Sequence, residues 1–174
     1  EDLRARLVEA SLAWERAFGN APSITSAVSE LDAALLIGCS LADYSSCMQG
    51  STAVQRGFDF RFQGVRYQVK ACRPSGKKGS VVTRVPKPSN YEWDELIWIL
   101  YNPAYEIQEA WQWSVGRFRD QLDVVTRISP AHMLQAGGCG RWQLTIRPSR
   151  RRFAARLKEG LNNPLCRPDC GIVA

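Results

Sequence analysis

Gly57-Phe58-Asp59-Phe60-Arg61-Phe62-Gln63-Gly64-Val65-Arg66-Tyr67-Gln68-Val69-Lys70 alternates apolar and polar residues on both sides of Gln63-Gly64. Alternation with period two marks a half-buried strand, and a two-residue break ending in glycine marks a hairpin turn. The stretch therefore reads as a β-hairpin. Phe58, Phe60 and Phe62 share one face of its first strand, and Val65, Tyr67, Val69 and Ala71 share one face of its second. With the turn at Gln63-Gly64, residues whose numbers sum to 127 lie opposite one another: Phe58 faces Val69, Phe60 faces Tyr67 and Asp59 faces Gln68. Lys70 is then one diagonal step from Asp59. A slip by one residue would send every side chain to the other face, so the turn decides whether these polar groups meet.

A carboxylate, an amide oxygen and a backbone carbonyl converging on one point suit a hard divalent cation, because Mg²⁺ takes oxygen ligands and keeps several waters. Asp59, Gln68 and the carbonyl of Val69 are such a set, and an adjacent lysine can orient a metal-bound water or stabilise charge building on a phosphate. A second carboxylate lies upstream. Ser26 to Gly38 has a helix-forming composition, polar start signals and a glycine at the expected C-terminus. Val28, Leu31, Leu35 and Leu36 fit its buried stripe, with Glu30 at the rim of that stripe. Taken singly, Asp59, Gln68 and Lys70 are what the solvent face of any exposed hairpin carries. Their order along the chain, after Glu30 and Gly57, is what points to a site.

That order resembles the PD-(D/E)XK nuclease superfamily: a helix with Glu30, then Gly57-Phe58-Asp59, then Tyr67-Gln68-Val69-Lys70. It is most similar to the Mrr-like restriction endonuclease branch, in which glutamine replaces the acid of the second motif. Trp93-Asp-Glu-Leu-Ile-Trp-Ile-Leu-Tyr-Asn102 resembles the later core strand of that fold, so the likeness spans residues 24–113. The chain departs from the general pattern at Phe58, where the superfamily has proline, and at Gln68, where it has an acid. The resemblance implies an α/β fold with a restriction-endonuclease-like core, a mixed central sheet flanked by helices. It implies a Mg²⁺-dependent DNA endonuclease, with Mn²⁺ as substitute, of restriction or defence type. Asp59 would be the central metal ligand, Gln68 a weaker one through its side-chain oxygen, Val69 a ligand through its carbonyl, Glu30 an accessory acid, and Lys70 the base or charge stabiliser. Double-stranded DNA, a second copy in a homodimer and a partner methyltransferase are the implied partners. A junction-resolving or repair nuclease with the same residues is the nearest alternative, and a non-catalytic DNA-binding module on a degenerate nuclease fold is the alternative from another class.

Charge supports a polyanionic partner. Residues 1–60 hold 8 acids against 4 bases and residues 61–174 hold 9 against 19, so a net charge of +6 divides into −4 and +10. Two clusters carry the excess: Arg73, Lys77, Lys78, Arg84 and Lys87, and the run containing Arg147, Arg150, Arg151, Arg152, Arg156 and Lys158. Arg73, Lys77, Lys78, Arg84, Lys87, Arg150, Arg151 and Arg152 are the expected DNA-gripping residues, acting on phosphates by charge and counterion release. The first cluster begins three residues after Lys70, which would bring a held phosphate close to Asp59.

Other chemistries are poorly supplied. His132, the only histidine, sits in Ser129-Pro130-Ala-His132, which reads as a helix N-cap followed by a first turn. No Gly-x-Ser-x-Gly motif accompanies it, and Gly76-Lys-Lys-Gly79 lacks the spacing of a phosphate-cradling loop. The six cysteines are irregularly spaced, and Cys39 and Cys72 read as core thiols. Cys166-Arg-Pro-Asp-Cys170 with Cys139 and His132 would be half of a zinc site without a second pair, so structural zinc is not expected. Most of the six tryptophans read as core, Trp98 alternating with Leu96 and Leu100.

The chain has no run of eighteen apolar residues and no basic-then-apolar leader, so a cytoplasmic protein without a membrane partner is expected. With 45% hydrophobic residues over 174 positions, one domain with a real core is expected. It divides into an N-terminal helix (1–23; Leu3, Leu7, Leu12 and Trp14 apolar), a catalytic core (24–113) and C-terminal helices, a strand at Arg141–Ile146 and a basic segment (114–174). Residues 39–56 read as a functional loop and 73–91 as an ordered loop or short helix over the substrate.

Overall fold

The computed structural model describes residues 2–49, 57–75, 84–88, 90–135 and 141–142. Helix α1 (Leu3–Phe18) opens on the Asp2 carboxylate, which accepts the Ala5 amide at 3.0 Å, and closes on Gly19 in the left-handed region. Helix α2 (Thr25–Leu36) follows. Helix α3 (Leu41–Met48) occupies much of the stretch expected to be a loop. Ser40 explains it: its hydroxyl accepts the Asp43 amide at 3.1 Å and donates to the Asp43 carboxylate at 2.6 Å, so a Ser-x-x-Asp cap starts a helix in a polar sequence.

Strands β1 (Phe60–Phe62) and β2 (Val65–Cys72) form the expected hairpin. Gln63 and Gly64 both have positive φ, 49° and 84°, as a two-residue turn matched to strand twist requires. The register is the expected one, Phe60↔Tyr67, Arg61↔Arg66 and Phe62↔Val65. A short β3 (Val85–Pro86) precedes β4 (Glu95–Tyr101) and β5 (Ile107–Ser114). Then come α4 (Val115–Leu122), β6 (Arg127–Ile128), α5 (Pro130–Gln135) and β7 (Arg141–Trp142). The remainder of the strand expected to reach Ile146, and the basic C-terminal segment, lie outside the described residues.

The fold is mixed α/β. Its main sheet has the order β1-β2-β4-β5-β7, with β2 and β4 parallel and the other neighbours antiparallel. The sheet is therefore mixed, as expected. A separate β3–β6 ladder was not expected: two-residue strands carry too little alternation to be read from sequence. Asp94 aligns the start of β2 with the start of β4. Its carboxylate accepts the Arg66 amide at 2.9 Å and the Arg66 guanidinium at 2.7 and 3.0 Å, while its own amide donates to the Arg66 carbonyl.

Alternation sorts the sheet residues into two cores. Tyr67, Val69, Ile97, Ile99, Tyr101 and Ile107 pack with Val8, Val28, Ala33 and Ala34 of α1 and α2. Trp93, Leu96, Trp98, Trp111 and Trp113 pack with Phe118 and Leu122 of α4 and with Ile128 and Met133. Leu96, Trp98 and Leu100 share this second face, as their spacing predicts. Phe58 does not share a face with Phe60 and Phe62 as expected. It joins the tryptophan side, because β1 begins only at Phe60 and Phe58 lies outside its alternation.

The helices turn inward differently from their hydrophobic pattern. On α1, Leu3, Leu7 and Trp14 are exposed, and Val8 and Ser11 are buried. On α2, the buried face is Val28, Ser29, Asp32, Ala33 and Ala34; Leu31 and Leu35 are only partly covered. A buried ion pair sits on this face. Arg4 binds both Asp32 oxygens at 2.5 and 2.7 Å and the Tyr105 carbonyl at 2.9 Å, and the Tyr101 hydroxyl donates to Asp32 at 2.7 Å. Burial and the Asp32 charge push the Tyr101 phenol far above its ordinary pKa, which keeps it a donor. Among the described residues no helix is long and apolar enough to cross a membrane.

Candidate active site at the open edge of β2

The hairpin ladder stops one residue short of Asp59. The Asp59 amide still donates to the Tyr67 carbonyl at 2.8 Å, but its carboxylate turns onto β2 and accepts the Val69 amide at 2.5 Å and the Gln68 side-chain amide. The rung expected between Phe58 and Val69 is thus replaced by a side chain. A carboxylate satisfies the edge amide in place of a main-chain carbonyl, and being charged it makes the stronger bond. Gly57 allows the chain to leave the strand. Its φ is +97°, and a Cβ there would lie 2.4 Å from Glu92 Oε2 and 2.7 Å from Glu92 Cβ, so both conformation and space require glycine.

The expected partners of Asp59 are brought to this edge. Gln68 contacts it directly, donating Nε2 to Asp59 and, at 3.4 Å, to the Val69 carbonyl. That orientation differs from the expectation that Gln68 offers its oxygen. Two acceptors, the carboxylate and the carbonyl, meet the same end of the amide and select its NH₂. Lys70 is near enough for its charge to favour the ionised form of Asp59. Glu30, on the rim of α2, reaches the same neighbourhood from the helix side: burial first, and the Asp59 charge second, push its carboxyl up to about 7. For Asp59, burial raises the pKa, against the Val69 amide, Lys70 and Gln68, which favour its charge. Two half-buried carboxylates therefore share an environment short of positive charge.

One further group was missed from the sequence. Tyr44 of α3 packs edge-on against Phe60, with centroids 5.9 Å apart. Burial, then the charges of Glu30, Asp59 and Cys39, push its phenol up to about 12, so it stays protonated beside the two acids. The Ser40-x-x-Asp43 cap was a local signal for the helix that carries Tyr44; its placement beside β1 is a tertiary contact.

The basic residues fare unequally. Arg73 is held by Glu15 at 2.6 Å and by the Pro103 carbonyl, lies over the Tyr105 ring, and has a side chain only 7% exposed, so it ties the sheet to α1 instead of facing a ligand. Lys87 bonds the Asp123 carbonyl at 2.7 Å and the Asp123 carboxylate at 3.1 Å. Arg84 is exposed. Lys77, Lys78, Arg150, Arg151 and Arg152 lie outside the described residues, as do Cys139, Cys166 and Cys170. His132 is in the first turn of α5 as expected, where its Nδ1 accepts the Ser129 amide at 3.2 Å. Cys39 and Cys72 are buried, as expected of core thiols.

The oxygens this edge offers a cation are the Asp59 carboxylate and the Val69 carbonyl, with the Glu30 carboxyl within electrostatic reach of Asp59. No cluster of three or more His, Cys, Asp or Glu side chains fit for a metal occurs among the described residues, so a cation held here would keep most of its waters. This donor set fits Mg²⁺ or Mn²⁺ and does not fit a metal that demands nitrogen or sulfur. No protein-family model matches the chain, and no curated protein matches it.

Proposed function

We propose that the protein is a metal-dependent DNA endonuclease of restriction or defence type, hydrolysing phosphodiester bonds at the open edge of β2. The observation that carries this reading is the meeting, just before β1 begins, of the Asp59 carboxylate with the main chain of Val69, with Glu30 and Lys70 within electrostatic reach of Asp59. A carboxyl poised near neutrality by burial and a like-charged neighbour is the electrostatic signature of a functional group, and here it coincides with the order of residues that resembles the restriction endonuclease-like nucleases.

In this reading Asp59 and the Val69 carbonyl hold Mg²⁺, or Mn²⁺ in its place. The ion, when bound, supplies a water of lowered pKa and offsets charge on the phosphate. Glu30 would stand as the accessory acid beside the site, able to take up a proton from the attacking water. Lys70 places positive charge against the phosphate oxygens. Arg84, with Lys77, Lys78, Arg150, Arg151 and Arg152, carries the backbone contacts; Arg73 and Lys87, held within the fold, leave that set. Cutting both strands of a duplex is most simply achieved by a homodimer with one site per strand.

The test is conversion of supercoiled plasmid to nicked or linear product with Mg²⁺ or Mn²⁺. Asp59→Ala and Lys70→Ala should each lower the rate by roughly 100-fold or more, the scale seen when one preorganised charge is removed. Preference for branched over linear DNA would instead indicate the junction-resolving form of the same chemistry. A DNA-binding module without catalysis is the second reading, favoured by the donor end of Gln68 facing Asp59. DNA binding that ignores both Mg²⁺ and Asp59→Ala, with no cutting, would decide for it.

A further inference from the structure

The side-chain amide of Gln68 stands between the two oxygens that the nuclease reading assigns to the metal. Its Nε2 donates to Asp59 Oδ2 and, at 3.4 Å, to the Val69 carbonyl. Asp59 Oδ2 takes the Val69 amide as well, at 2.5 Å. Both oxygens are acceptors only, so a cation arriving between them must first lose the NH₂ group that bridges them. A donor bridging a carboxylate and a carbonyl does for the metal-free protein what the ion would do for the metal-bound one: it places partial positive charge between them.

We infer that Gln68 is a placeholder for the cation and not one of its ligands, an inference that rests on the metal-site reading above. The metal-free site is closed by the Gln68 amide, and metal binding is a displacement. The observed affinity is then the intrinsic affinity reduced by the fraction of molecules in which the amide has left. Gln68 thereby sets the metal concentration at which the site fills, and an acid at the same position would have set a different one.

The two roles predict opposite results when Gln68 is removed. Mn²⁺ binding to the whole chain, without DNA, is measured by titration calorimetry and by electron paramagnetic resonance of the free ion, for the natural protein, Gln68→Ala, Gln68→Met and Asp59→Ala. Circular dichroism checks each fold, and two Gln68 variants are used so that one misfolded protein leaves the other to decide. A placeholder stabilises only the metal-free state through a hydrogen bond to a charged group, so its removal should tighten Mn²⁺ binding about tenfold. Asp59→Ala should abolish binding. Binding that is weakened or unchanged in the Gln68 variants, while Asp59→Ala still abolishes it, would overturn the placeholder and leave the metal site standing. Absence of Mn²⁺ binding in all four proteins would overturn both.

Discussion

Asp32 and Asp59 are both drawn into the protein, and their surroundings differ in the one respect that matters. Asp32, 2% exposed, meets a guanidinium through both oxygens and a tyrosine hydroxyl besides. Asp59 meets a backbone amide and a neutral side-chain amide, with Lys70 nearby and a second carboxyl, Glu30, pressing from the other side. The first is a compensated charge that fixes how α1, α2 and β4 pack. The second pair is undercompensated, and it is there that the proposed cation would sit. Glu30 and Asp32 are two residues apart on α2, so the helix sends one acid to each environment.

Breaking the compensated site should give the largest effect on folding. Asp32→Ala leaves Arg4 without its partner and Tyr101 without its acceptor, and should cost about 3–5 kcal/mol in urea unfolding while leaving Mn²⁺ affinity at the β2 edge unchanged in the folded fraction. A fall in Mn²⁺ affinity would mean that the two regions are not separate.

Gly57→Ala attacks the approach to the other site. It asks alanine to adopt φ +97° against Glu92 and should cost about 2 kcal/mol. Unlike Asp32→Ala it should also weaken Mn²⁺ binding, because Asp59 follows two residues later. Unfolding and titration on the same preparation separate the two effects.

The subtlest change sharpens the comparison by sign. Glu30 has its pKa raised from 4.5 to about 7 in the folded chain, so between those values the folded state binds more protons than the unfolded state. Its contribution to stability is therefore present below about pH 4.5 and is lost as pH rises through about 7. Without metal, Glu30→Gln should stabilise the protein at pH 8 by about 2 kcal/mol, discounted for partial exposure, and should leave pH 4 stability nearly unchanged. Denaturation at both pH values in the presence of a chelator checks it; equal effects at the two would show that Glu30 is not perturbed.

Much of the hairpin was legible because its information is local. A Gln-Gly turn with two positive φ values sets the register, and alternating side chains then sort themselves between two cores. The ends of α1 and α2 were legible for the same reason to within a residue or two, from the glycines Gly19 and Gly38. Which faces those helices bury was not, since a hydrophobic stripe says nothing of a distant arginine. Arg4 and Asp32 are 28 residues apart and pair on the buried side, while Leu3, Leu7 and Trp14 are exposed. Arg73 likewise looked like a phosphate-gripping residue until Glu15, 58 residues away, was found to hold it.

By itself, the sequence determined the turn, the pairing register of β1 with β2, the strand that carries the tryptophans, and the presence of Glu30, Asp59, Gln68 and Lys70 in that order. Tertiary structure alone decided that β1 begins only at Phe60, that the Asp59 carboxylate replaces the next rung of the ladder, and that Gln68 turns its donor end toward it. The reason is physical: propensity and periodicity act over a few residues, whereas burial and charge compensation are settled only when segments remote in sequence meet.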